Sequence, residues 1–186
     1  MLLTRLASNP NAVSILKAHL PAGSESDTFA IMVATADPDI SQARLTPALE
    51  AMSRQSPAER KGSTTTVADA IVNSKSPAQA LQFIFNAPAS QDRDAIVSAT
   101  AKEWAKVDPV GLSSVLASRP QGEVPDEAIK ALVGEIPNDP EAIIIWSSKM
   151  ADRNRGMALA RAAAAADPGR KAQLDELIRS RWSPAP

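Results

Sequence analysis

The chain of 186 residues contains no cysteine, no tyrosine and a single histidine. Without cysteine it can form no disulfide, offers no thiolate to a zinc ion and has no cysteine nucleophile. A catalytic triad would have to use the one histidine, His19. The composition therefore excludes disulfide-rich domains and thiolate metal sites, and any histidine chemistry would depend on His19 alone.

Long apolar runs and a strong net charge are also missing. No run approaches the roughly 18 to 20 apolar residues that cross a bilayer. The first ten residues, MLLTRLASNP, have neither the basic leader nor the apolar stretch of a signal peptide. The formal net charge of −1 gives no polyelectrolyte character. We therefore expect a cytoplasmic protein with no membrane partner, although export stays open.

What the chain does have is a recurring pair, a small polar residue followed by proline. A polar side chain that caps the first amides, followed by a proline with a fixed φ angle, is a helix-start signal. A second proline follows three of the caps by twelve residues and ends the first helix of each unit. The pairs are Asn9-Pro10, Asp37-Pro38, Ser76-Pro77, Asp108-Pro109, Asp139-Pro140 and Asp167-Pro168, and the second prolines are Pro21, Pro88 and Pro120.

Apolar residues occur at constant positions after these helix starts. Positions four and seven after a cap share one helix face, so we expect them to be buried against the neighbouring unit. The second helix of each unit is rich in alanine, which permits close packing. Position four holds Val13, Ala80, Leu112 and Ile143, and position seven holds Leu16, Phe83, Val115 and Trp146. The predicted second helices end at Ala36, Asn73, Val107, Ile136 and Ala166.

One unit is irregular. The starts fall 28, 39, 32, 31 and 28 residues apart, and the long interval contains a further pair at Thr46-Pro47. We interpret Asp37 to Leu45 as an insertion and Ser56 to Thr66 (SPAERKGSTTT) as a polar turn. Insertions in repeat proteins map to loops that are often used for binding. Arg60 and Lys61 are therefore predicted to contact a partner, the alternative being a long surface loop with no function.

Paired helices of this length, with proline between units, resemble the tetratricopeptide and HEAT-type α-solenoid families. The phrases EWAKVDP (103–109) and DPEA (139–142) resemble alanine- and tryptophan-rich, DP-punctuated bacterial repeats. The resemblance implies a protein-interaction scaffold and transfers no catalytic residue. We expect one all-α domain over 1–186, a right-handed superhelix (solenoid) of about five helix pairs. Its repeat starts lie near 9, 37/46, 76, 108, 139 and 167, and a capping helix covers 168–182.

Candidate chemical sites each have a simpler explanation. His19 lies near Ser14, Ser24 and Asp27 in sequence, but its place near the end of a helix favours contact with solvent or the helix dipole. Two acidic groups, Asp37 with Asp39 and Glu123 with Asp126 and Glu127, lack the spacing of a calcium loop and are interpreted as helix caps. The seven glycines form no phosphate loop. We predict no catalytic, cofactor or metal site, and no enzyme.

Charge is unevenly distributed along the chain. Residues 149–186 hold eight Lys or Arg against four acids, a local charge of +4, which leaves −5 for the rest. Such a basic end, with Trp182 as a stacking platform, would suit nucleic acid, but the interleaved acids favour a solvated face. The predicted function is a scaffold or adaptor that binds another protein or a peptide. The alternatives are a small inhibitor or modulator of a partner enzyme and a weakly basic nucleic-acid-binding repeat.

Overall fold

The computed structural model describes residues 23–120 and 122–182. Across these two ranges the regular structure consists of ten helices, which contain 78% of the described residues, with no strand. The predicted all-α fold is confirmed. His19, the Asn9-Pro10 start and the first apolar register positions, Val13 and Leu16, lie outside the described residues.

The helices follow one another with short connections. The chain divides into two compact units, Met1–Glu103 and Trp104–Pro186, and the division falls within the fifth helix. The single domain expected over 1–186 stays a prediction. The helices are α1 Ser24–Thr35, α2 Gln42–Arg54, α3 Pro57–Val72, α4 Pro77–Asn86, α5 Gln91–Val107, α6 Pro109–Ala117, α7 Asp126–Glu135, α8 Pro140–Ser147, α9 Asp152–Ala165 and α10 Pro168–Trp182.

Four of the predicted starts are confirmed. Helices α4, α6, α8 and α10 each begin at the proline that follows Ser76, Asp108, Asp139 and Asp167, respectively. Each of the three aspartates accepts a hydrogen bond from the backbone N–H three residues later, at 2.8 to 3.0 Å. These bonds satisfy amides that have no partner within the helix. Ser76 makes no side-chain cap bond, so there the fixed φ of proline provides the start.

The predicted starts at Asp37-Pro38 and Thr46-Pro47 are wrong. The carboxylate of Asp37 accepts a 2.8 Å hydrogen bond from the backbone N–H of Asp39, which closes a turn instead of capping a helix. Helix α2 begins only at Gln42, after Ser41, and it contains Pro47 in its interior. The segment interpreted as an insertion is therefore a linker followed by the first turn of α2.

Counting from Ser41 makes the repeat more regular. The starts at Ser41, Ser76, Asp108, Asp139 and Asp167 lie 35, 32, 31 and 28 residues apart. They divide the described chain into four complete helix pairs, with α1 before them and α10 after them. The structure has a helix, α10, over the range expected at 168–182, and its capping role stays a prediction. The right-handed superhelix stays a prediction.

The segment interpreted as a polar turn, Ser56 to Thr66, is the beginning of α3. Ser56 and Glu59 form a capping box: the Ser56 hydroxyl accepts from the Glu59 N–H at 3.4 Å, and the Glu59 carboxylate accepts from the Ser56 N–H at 3.0 Å. The hydroxyls of three consecutive threonines, 64–66, donate to the carbonyls four residues earlier. These polar side chains are therefore held on a helix.

In the first unit, helices α1 to α4 pack against their near neighbours in the chain. Helix α1 contacts α2 and α3, α2 contacts α3 and α4, and α3 contacts α4. Between α1 and α2, Arg54 donates a 2.6 Å hydrogen bond to the buried carboxylate of Asp27. That bond raises the pKa of Arg54 above its usual value.

The second unit repeats the pattern. Helix α7 contacts α6, α8 and α9, and α10 contacts α8 and α9. Arg155 donates to the carbonyls of Ser147 and Met150 at 3.1 and 2.9 Å, and so joins the start of α9 to the end of α8. Its guanidinium also lies 5.2 Å from the centre of the Trp182 ring of α10. One arginine therefore links three helices.

The apolar register is confirmed with one exception. Val115 and Trp146 are each 5% exposed, but Phe83 is only half-buried. In α4 the core positions are filled by Ile84 and Phe85, one and two residues further along the helix, so Phe83 points toward the edge of the buried face. The position-four residues Ala80, Leu112 and Ile143 are all buried.

Candidate functional site

An open groove lies between α3 and α5 in the first unit. Its volume is about 550 Å³. Both residues that the sequence analysis assigned to partner contact, Arg60 and Lys61, line it. The groove is lined from α3 by Pro57, Arg60, Lys61, Thr64 and Thr65, and from α5 by Gln91, Asp92, Ala95 and Ala99.

Helical spacing creates the two walls. On α3 the lining residues recur every three or four positions, and on α5 the residues Gln91, Ala95 and Ala99 are four apart, so each set occupies one helix face. The two alanines carry only a methyl group each. Their small side chains leave open the space that a larger residue on α5 would fill.

Arg60 is held by the protein itself. Its guanidinium donates to the carbonyls of Ser53 and Gln55, at 3.3 and 3.0 Å, and its Nε lies 3.4 Å from the Asp92 carboxylate. The carbonyls at the end of α2 have no partner within their own helix, and Arg60 supplies one. It therefore shapes the wall of the groove and neutralises Asp92.

Lys61 differs from its neighbour because its ammonium is exposed and has no acidic partner among the described residues. With Arg60 and Asp92 neutralising each other, the lining carries a net charge of +1, which Lys61 supplies. Thr64 and Thr65 use their hydroxyl hydrogens on backbone carbonyls at 2.8 and 3.2 Å. Their oxygen atoms remain as acceptors, and their methyl groups add apolar surface.

Two of the acidic residues considered as metal ligands, Asp37 and Asp126, have structural roles. Asp37 forms an ion pair with Arg44 at 2.9 Å in addition to its turn. Asp126, at the start of α7, accepts from the side chain of Asn154 at 2.6 Å and from the N–H of Ala151 at 3.3 Å. Within 23–120 and 122–182, no group of three acidic, His or Cys residues is placed to hold a metal ion.

In the described part of the chain, two of the eight basic residues of this end form ion pairs. Arg155 forms an ion pair with Asp152 at 2.8 Å, and Lys171 with Asp175 at 2.6 Å. The guanidinium of Arg155 lies over one face of the Trp182 ring. That face of the stacking platform considered for nucleic acid therefore already contacts the protein's own side chain.

Several large apolar side chains are exposed outside the groove. They lie on different helices, and singly exposed apolar residues are common on protein surfaces. Sequence reasoning did not identify them, because the alanine-rich helices share no single apolar stripe. They are Met32, Val107, Val110, Ile145 and Met157.

The described helices include none that combines the length and the apolar character needed to span a bilayer. Comparisons with protein-family models, with curated proteins and with solved structures find no match. The function therefore has to be inferred from the groove and the charges of this chain.

Proposed function

We propose that this chain is a non-catalytic protein-interaction module, a scaffold or adaptor, whose docking site is the groove between α3 and α5. The observation that supports the proposal is the coincidence of an open groove of about 550 Å³ with the ammonium of Lys61, which has no acidic partner among the described residues. Volumes of about 300 to 1,000 Å³ are typical of sites that hold a small ligand or a few side chains. The resemblance to α-solenoid scaffolds favours a protein as the occupant.

The contacts that hold the two walls of the groove support a site that is formed before a partner binds. Arg60 ties the start of α3 to the end of α2 and to Asp92 of α5, so both walls are braced by side-chain contacts. A site that is ordered before binding loses less conformational freedom when the partner arrives. The alternative function, a modulator that blocks a partner enzyme, would use the same surface. The two functions differ in what binding does to the partner, and the binding site is the same.

Nucleic acid is less well supported as the partner. Binding without base specificity usually combines a continuous basic surface with exposed aromatic rings. Here Lys171 and Arg155 are paired with acids, and one face of Trp182 already contacts Arg155. The described residues that line the groove include no aromatic side chain.

The test is affinity capture from the native host with a variant that fills the groove. Ala95→Trp places a large ring on an exposed position of the lining, and Ala78→Trp makes the same change on an exposed position of α4 outside it. We expect a partner retained by the wild type and by Ala78→Trp to be lost from Ala95→Trp, with the thermal midpoints of both variants unchanged. Equal retention by a folded Ala95→Trp variant would contradict the proposal.

A further inference from the structure

We propose that the groove between α3 and α5 binds an acidic peptide segment of the partner. The inference rests on the proposed docking function and adds the chemical class of the occupant. The segment places an Asp or Glu carboxylate on the ammonium of Lys61 and a short aliphatic side chain over Ala95 and Ala99.

The charges of the residues that line the groove favour an acidic partner. Three charged residues line the groove, and two of them, Arg60 and Asp92, neutralise each other at 3.4 Å. The ammonium of Lys61 is the unmatched charge among the lining residues. A basic segment would meet an unfavourable like charge there, whereas a carboxylate completes the pairing.

The apolar part of the lining limits the side chain that lies beside the carboxylate. Ala95, Ala99, Thr64 and Thr65 form the part of the lining that we call the floor, and each of them carries a methyl group. Because the threonine hydroxyls already donate to backbone carbonyls, they offer only acceptor capacity to a ligand. A small aliphatic side chain fits such a floor better than a group that needs several donors.

The dimensions indicate a short contact. The lining residues of α3 run from Pro57 to Thr65, a rise of about 12 Å at 1.5 Å per residue. An extended peptide covers about 3.3 Å per residue, so about four residues lie in the groove. One carboxylate and one or two aliphatic neighbours account for most of such a segment.

The test is selection from a displayed library of random 12-residue peptides at low salt. Three baits are compared: the wild type, Lys61→Glu and the control Lys75→Glu, which reverses the same charge on an exposed lysine outside the lining. We expect Asp and Glu to be enriched on the wild type and on Lys75→Glu, and Lys and Arg on Lys61→Glu. For an acidic peptide chosen on the wild type, the Kd should rise by about fivefold or more in Lys61→Glu, and it should also rise with salt.

The remaining outcomes separate the two proposals. Peptides that lose binding to Ala95→Trp but show no acidic preference would overturn the acidic class and leave the docking groove in place. Peptides that bind Ala95→Trp as well as the wild type, or a selection that yields no binding peptide, would overturn the docking groove and the inference with it. Displacement of the acidic peptide by a single-stranded oligonucleotide, dependent on Lys61, would assign the site to nucleic acid instead.

Discussion

Arg60 and Arg155 hold the same position in two different helix pairs. Each is the fourth residue of its helix, α3 or α9, and each donates to the carbonyl five residues before it, at 3.0 and 2.9 Å. The accepting carbonyls belong to Gln55 and Met150, which follow α2 and α8. The two helix pairs therefore share an equivalent side-chain contact. In each pair this contact joins the first helix to the second.

This equivalence predicts different effects for the two neighbours in the groove. Arg60→Ala should lower the free energy of unfolding by about 1 to 3 kcal/mol, because it leaves two carbonyls and Asp92 without their charged donor. Lys61→Ala should change it by less than about 0.5 kcal/mol, since the ammonium is exposed and has no acidic partner in the described part of the chain. Chemical denaturation of both single variants measures the difference. Equal effects would show that Arg60 is not a structural contact.

The tryptophan at position seven of the fourth pair should be a major packing residue. Trp146 is 5% exposed on α8, so Trp146→Ala should cost about 3 to 5 kcal/mol. Trp182→Ala is the matched control, because that ring is only half-buried at the end of the last described helix. An unchanged denaturation midpoint for Trp146→Ala would mean that the ring does not pack in the core.

Asp126, on α7, caps the start of α9, which is two helices further along the chain. Helix α9 has no side-chain cap of its own, and Asp126 accepts from Ala151 and Asn154 at its start. We expect Asp126→Ala to cost about 1 to 2 kcal/mol, because it leaves these donors unpaired. Asp152→Ala, at a carboxylate that is 92% exposed, should cost well under 1 kcal/mol. Urea titrations of the two variants provide the comparison, and similar midpoints would contradict the capping role.

Two serines before prolines should differ in the same assay. Ser56 forms both halves of a capping box with Glu59, so Ser56→Ala should cost about 1 kcal/mol. Ser76 precedes an equivalent proline but makes no side-chain cap bond, so Ser76→Ala should be nearly neutral. The midpoints of thermal unfolding test this, and a larger loss at Ser76 would reverse our assignment of the caps.

The sequence predicted the helix starts where the cap acts locally. Asp108 and Asp139 bond amides three residues away, so the pattern contains all the information that is needed. Asp37 fails because its carboxylate closes a turn and pairs with Arg44, while the carbonyl of Pro38 accepts from the distant N–H of Lys75. The turn bond and the ion pair are local, and the contact with Lys75 joins residues far apart in sequence; the Asp-Pro pattern alone distinguishes neither of these arrangements from a helix cap.

The candidate site was predicted only in part. Arg60 and Lys61 were identified as residues of a loop, yet they lie on a helix, and the capping box of Ser56 and Glu59 was the signal that identifies it. The opposite wall, with Asp92 and Ala95, could not be predicted, because only tertiary packing brings α5 to α3. The pairing of Arg60 with Asp92 is hidden from the sequence for the same reason.

The wall of the groove that carries Lys61 is intrinsically a poor helix. Residues 62–66 of α3 are Gly, Ser and three Thr, which together favour helix by roughly 3 kcal/mol less than five alanines. The helix must then be held by its buried residues, Val67, Ala68 and Ile71, and by the arginine contact at its start. Local opening should therefore expose the amides of this wall to hydrogen exchange sooner than those of α2, and an occupant of the groove would register as slower exchange along α3.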